Sequence, residues 1–185
     1  MSSQPHVLYL LIVGCEVAFW LVLLLSLATR YLLRRETLSR WLLFSLPLVD
    51  VLLLIFTALD LRAGTAATFA HGLAAAYVGF TVAFGSVAVL WADAHFAHRF
   101  ASGPAPRKAP AGGWGLVRFD LKLWLRCILA CVISLALIEV LIAFVANDAA
   151  TLPLVAWYKH AFGCVVIWFV FGPAWSLLLV RRGAR

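Results

Sequence analysis

The chain has 185 residues, of which 65% are hydrophobic and only 12% charged, and its mean hydropathy is +1.01. A water-soluble domain of this length cannot bury so much apolar surface in one core, so the composition excludes a soluble globular protein and indicates a membrane protein. The formal net charge of +7 comes from lysines and arginines that lie mostly between the apolar runs. This placement indicates that the charges set the orientation of the protein in the membrane rather than bind nucleic acid.

Five apolar runs, each long enough to cross a bilayer, predict an all-α, polytopic membrane bundle that forms a single domain over residues 1–185. The predicted spans are about residues 7–27, 41–61, 67–91, 123–146 and 154–180. Arginines follow the first run rather than precede it, which is the wrong order for a cleaved signal peptide. A Pro- and Gly-rich segment predicts a loop at about residues 100–117, and Gly172-Pro173 predicts a kink in the fifth span.

Lysine and arginine concentrate at one predicted end of the bundle. Thirteen of the fifteen lie in residues 28–41, residues 92–126 and the tail, whereas Arg62 and Lys159 lie at the other end. Because Lys- and Arg-rich connections remain in the cytoplasm, the N-terminus is predicted to be outside and the C-terminus inside. The predicted partners are the lipid bilayer and anionic headgroups on the cytoplasmic side, with no nucleic acid.

Small residues in the third span predict where helices pack closely. Ala75, Gly79 and Ala83 repeat every four residues and therefore share one helix face, which places this span at the predicted centre of the bundle. His71 shares that face, and His160 shares a face with small residues of the fifth span. Both histidines are therefore predicted to point into the bundle.

Three acids lie inside predicted spans: Glu16, Asp50 and Glu139. Each costs about 2.5–3.5 kcal/mol to insert near a helix centre, so each requires a partner or a function. No lysine or arginine is predicted at the depth of Glu16 and Asp50, so at least one of these two acids is expected to hold a proton or a cation. These three acids, with His71 and His160, are the candidate proton- or cation-binding residues.

Several functions are compatible with these polar groups. Glu16 and Asp50 are predicted near the midplane, and the other three form, with Asp60 and Lys159, a polar layer in the outer half of the bundle. The groups can simply hydrogen-bond across helices and fix the packing, or they can serve proton- or cation-linked transport. His71 and His160 can also be the axial ligands of a b-type haem in a redox subunit. A fourth hypothesis is a scaffold or accessory subunit that binds a membrane-protein partner, or a homo-oligomer, through the basic loop.

No catalytic motif is present, since the chain has no Gly-rich phosphate loop and no Ser-His-Asp order, so a non-enzymatic role is favoured. Asp93, His95 and His98 are weak metal-ligand candidates, because Asp93 and His95 point to different sides of a helix. The four cysteines, Cys15, Cys127, Cys131 and Cys164, all lie within spans. They are interpreted as small packing residues, and no cofactor is predicted apart from the haem alternative.

Four short stretches, in the second and third spans, resemble a known family. They are Pro47–Asp50, Phe69–Gly72, Ala76–Phe80 and Trp91–Asp93. These stretches are similar to the small YmcC-type integral membrane proteins of bacteria. The resemblance implies a multi-pass protein of the bacterial cytoplasmic (inner) membrane and a special role for Asp50 and His71, and it carries no established activity.

Overall fold

The computed structural model describes residues 4–31, 33, 35–100, 103–106 and 108–183, with side chains for 10, 11, 13–15, 17–31, 33, 35–99, 103–106, 108–147 and 149–180. All regular structure in these ranges is helical. The helices are α1 (Gln4–Tyr31), α2 (Glu36–Arg62), α3 (Phe69–Phe100), α4 (Gly113–Val145), α5 (Asp148–Val155), α6 (Trp157–Phe169) and α7 (Trp175–Gly183). Five described segments are long and apolar enough to cross a membrane, which confirms the predicted class of fold.

Successive long helices run in opposite directions, so the bundle has two ends. The loop end carries the connection 103–112, and there Arg30 of α1 forms an ion pair with Asp93 of α3 at 2.9 Å. The turn end carries the connections after α2 and α4. There the backbone N–H of Ala67 donates to the carbonyl of Ala150 at 2.9 Å and ties the two connections together.

The fourth span is one helix that starts ten residues earlier than the predicted start at 123. The loop predicted over 100–117 therefore ends at 112, because no proline lies between Pro110 and the start of α4 and the chain can become helical at once. At about 1.5 Å per residue the 33 residues of α4 measure about 50 Å, well beyond a hydrocarbon core of about 30 Å. Its first turns, with the exposed Arg118 and Lys122, project at the loop end.

The fifth span, made of α5, α6 and α7, is irregular at its prolines. A π-helical turn at Val170–Ala174 separates α6 from α7 and contains Pro173, at the site of the predicted kink. Proline has no backbone N–H to donate, and a π-helical turn accommodates that interruption within a continuous helix.

The centre of the bundle is the face of α3 that packs on α4. Ala75 is fully buried, and a Cβ at Gly79 would collide with the Ser134 side chain and the Ala130 carbonyl of α4. This close approach confirms the predicted packing role of the small residues. The outer surface instead carries exposed leucine, valine and phenylalanine side chains, as lipid contact requires.

The orientation of the bundle is testable with paired reporters. We expect a cytoplasm-active reporter fused at Gly112 to be active and the same reporter fused at Asp148 to be silent, since cations concentrate at the loop end. A periplasm-active reporter should give the reverse pattern. Equal activity at both positions would contradict a topology with these two segments on opposite sides.

Candidate functional site

Asp50 lies in the middle of α2, with its side chain turned between α1 and α3. Only 3% of the residue is exposed. Its carboxyl group borders a pocket of about 60 Å³. The other lining residues come from three helices: Cys15, Phe19, Trp20, Val49, Leu53 and Tyr77.

The Asp50 carboxyl group is not fully hydrogen-bonded. The side chain of Thr81, one turn beyond Tyr77 on α3, interacts electrostatically with this carboxyl group. The second oxygen, Oδ2, is buried and has no partner within the described part of the chain. No lysine, arginine or histidine is among the described residues that line the pocket. A carboxylate here would have no cation among the described lining residues to compensate its charge.

A second and larger pocket, of about 280 Å³, continues from this site toward the loop end. Phe19 and Tyr77 line both pockets, and Thr81 lines the second. Most of its wall is apolar, and Asp93 lies at its far end. The two pockets between α1, α2 and α3 therefore share lining residues, and Asp50 lines one while Asp93 lines the other.

Both carboxylate oxygens of Asp93 have partners on α1. One carboxylate oxygen pairs with Arg30 at 2.9 Å, and the other accepts from the Tyr31 hydroxyl at 3.0 Å. His95 and His98 each donate from Nδ1 to a backbone carbonyl, of Trp91 and Gly103 respectively. The described side chains of Asp93, His95 and His98 thus serve separate contacts, and they form no cluster able to share a metal ion.

At the turn end, Asp60 and His71 form a buried pair between α2 and α3. His71 Nε2 lies 3.1 Å from Asp60 Oδ2, and the two side chains are 8% and 7% exposed. The Thr65 hydroxyl donates to the other oxygen of Asp60 at 3.1 Å. His71 Nδ1 accepts the backbone N–H of Thr68 at 2.9 Å, which assigns the ring proton to Nε2 and makes it the donor to Asp60.

The hydrogen bond from the Thr68 N–H to His71 Nδ1 also caps the N-terminus of α3. Thr68 precedes the first helical residue, and its backbone N–H donates to the side chain of His71, three positions later. This arrangement is a capping box. Both ring nitrogens of His71 are therefore engaged. Coordination of a haem iron by His71 would require one of these contacts to break.

His160 and Glu139 lie at the surface of the bundle. His160 is exposed, donates from Nδ1 to the Ala156 carbonyl at 3.0 Å and contacts the rings of Phe69 and Trp157. The prediction that His160 points inward is therefore wrong. Glu139 is exposed and accepts a hydrogen bond from the Tyr158 hydroxyl.

The structure thus does not bring all the predicted site residues together. Glu139, His71 and His160 are not among the residues that line the pocket of Asp50. The side chain of Glu16 lies outside the described residues. Its chain neighbour Cys15 lines that pocket, so the backbone of α1 passes Asp50 next to Glu16.

Replacement of Asp60 tests the energetic importance of the buried pair. Asp60→Ala should lower the free energy of unfolding by about 1–3 kcal/mol, because it leaves the Nε2–H of His71 buried without an acceptor. Glu36→Ala is the matched control: Glu36 pairs with Arg40 at 3.4 Å on an exposed surface, so the change should be under about 1 kcal/mol. Denaturant titration in detergent micelles measures both. Equal losses would contradict a specific contribution from the Asp60–His71 pair.

The fold and the site define a polytopic α-helical membrane protein with an incompletely paired carboxyl group inside its bundle. The chain is 37% identical over 141 residues to the uncharacterized membrane protein YmcC of Bacillus subtilis (strain 168), and the match covers 76% of each chain. The chain belongs to the YmcC family, as the four stretches of the second and third spans predicted. No family model matches the chain, and no solved structure matches it.

Proposed function

We propose that this protein is a proton- or cation-linked transport module of the bacterial cytoplasmic membrane, in which Asp50 binds and releases the transported ion. The observation that carries the proposal is the buried Oδ2 of Asp50, which has no hydrogen-bond partner among the described side chains, in a residue that lines a pocket. An acid at such a depth costs about 2.5–3.5 kcal/mol to insert. A side chain with only a packing role would be expected to recover that cost through a complete set of hydrogen bonds.

Two acids with fixed partners, Asp60 and Asp93, provide a contrast that supports this role. Asp60 is paired with His71 and Thr65, and Asp93 with Arg30. Both acids therefore have fixed partners, whereas Oδ2 of Asp50 has none among the described residues.

The positions of these acids suggest a direction for ion movement. Asp50 lies ten residues from Asp60 along α2, about 15 Å, and the larger pocket extends from its other side to Asp93. Asp93 would receive or deliver the ion at the loop end when its ion pair with Arg30 opens. The Asp60–His71 pair would perform the same role at the turn end.

Flux measurements in vesicles test the proposal. Protein reconstituted into liposomes should carry protons, or one of the common monovalent cations, faster than protein-free liposomes under an imposed gradient. Flux should be measured with each ion and over a range of pH around neutrality. Flux equal to that of empty liposomes under every condition would remove the transport function and leave Asp50 with a structural role.

A further inference from the structure

Three cysteine thiols converge between α4 and α6. Cys127 and Cys131 are one turn apart on α4, and Cys164 faces them from α6. The sulfurs of Cys127 and Cys164 are 3.7 Å apart, and all three sulfurs lie within 4.8 Å of one another. Cys127 is fully buried and Cys131 is 6% exposed.

Close packing alone does not account for this arrangement. A small side chain of any kind lets two helices approach, as the alanines and glycines of α3 do. Here three side chains from two helices bring their sulfurs within 4.8 Å of one another, close enough to bind one soft metal ion together.

We propose that Cys127, Cys131 and Cys164 form a three-coordinate site for a cuprous ion. Cysteine sulfur selects soft ions such as Cu(I), and Cu(I) brings one positive charge into an apolar region. Zinc sites almost always have four ligands, and the described residues offer three sulfurs with no further ligand in the cluster. Binding through two thiolates and one neutral thiol releases two protons and leaves the complex with a charge of minus one.

The cluster borders a pocket. Cys131 and Cys164 line a largely apolar pocket of about 460 Å³ between α3, α4 and α6, which also contains His160. On the loop-end side, Trp124 lies one turn before Cys127 on α4, and its ring N–H donates to the Val165 carbonyl of α6 at 3.1 Å. An ion would therefore enter through the pocket.

This site is separate from the Asp50 pocket, which lies among α1, α2 and α3. The two proposals can consequently fail independently. Flux that depends on Asp50 does not require bound copper, and copper binding does not require flux.

Copper competition tests the site. Full-length protein, reduced and purified without oxygen, is titrated with Cu(I) against a chromophoric Cu(I) chelator. Wild type should bind one cuprous ion per chain, and Cys164→Ser should lose that ion. Cys15→Ser should bind as wild type does, since Cys15 lies in the other pocket. Gel filtration of each variant establishes that the bundle is folded.

X-ray absorption spectroscopy of the copper-loaded wild type identifies the atoms bound to copper, even if Cys164→Ser fails to fold. We expect three sulfur neighbours around the copper. Bound copper with nitrogen or oxygen ligands, copper retained fully by a folded Cys164→Ser, or preferential retention of zinc would overturn the assignment. Absence of bound copper in the folded wild type would also overturn it.

Discussion

Asp50→Asn should reduce ion flux in reconstituted vesicles to the level of empty liposomes while the bundle remains folded. The amide keeps the size of the carboxyl group and retains an oxygen that can interact with the side chain of Thr81. It cannot take up and release a proton, and it has no charge to attract a cation. Flux should therefore be lost with little change in thermal stability.

Glu139→Gln is the matched control for this substitution. It makes the same chemical change at an exposed acid that contacts Tyr158 and lies outside the Asp50 pocket. We expect flux close to that of wild type. Full flux in folded Asp50→Asn would contradict the role of Asp50, and equal loss in both variants would show that the effect is not specific to this site.

Gly79→Ala should clearly lower the stability of the bundle. The added Cβ would overlap the Ser134 hydroxyl and the Ala130 backbone carbonyl of α4. A backbone carbonyl cannot move aside as a flexible side chain can, so α3 and α4 must separate. Overpacking of this kind costs about 1–3 kcal/mol, and denaturant titration should show a loss of that size.

Gly163→Ala provides the comparison on α6. Nothing lies within 4 Å of a Cβ at Gly163, and alanine is the better helix former by about 0.5–1 kcal/mol. We expect unchanged or slightly higher stability. The account of α3–α4 packing would be contradicted if the two alanine variants unfolded at the same denaturant concentration.

The fold was predictable because the bilayer imposes simple requirements. A spanning helix needs a long apolar run, and five such runs are visible in the sequence. Helix ends were less predictable: α4 extends to Gly113 because nothing after Pro110 prevents helix formation. Polar residues between spans do not by themselves end a helix.

The site was predictable in part. Asp50 was singled out because a buried acid without a nearby cation is costly, and His71 because it shares a face with Ala75. The same reasoning failed for His160. The small residues beside it do not mark a helix interface, since Gly163 has no neighbour at its Cβ position.

Contacts between helices that are distant in sequence could not be read from spacing. The Arg30–Asp93 pair joins α1 to α3 across more than sixty positions. The approach of Cys164 to the two cysteines of α4 depends on the rotation of α6 about its axis. Residue spacing defines which positions share a face, but packing decides which faces meet.

Infrared difference spectroscopy of wild type and Asp50→Asn in lipid bilayers tests the central claim most directly. A residue that carries an ion must exchange it, so the carboxyl band of Asp50 should convert between its protonated and ionised forms as pH or cation concentration changes. The account predicts such a change in wild type and its absence from Asp50→Asn. A carboxyl band of Asp50 that responds to neither pH nor any monovalent cation would contradict the account.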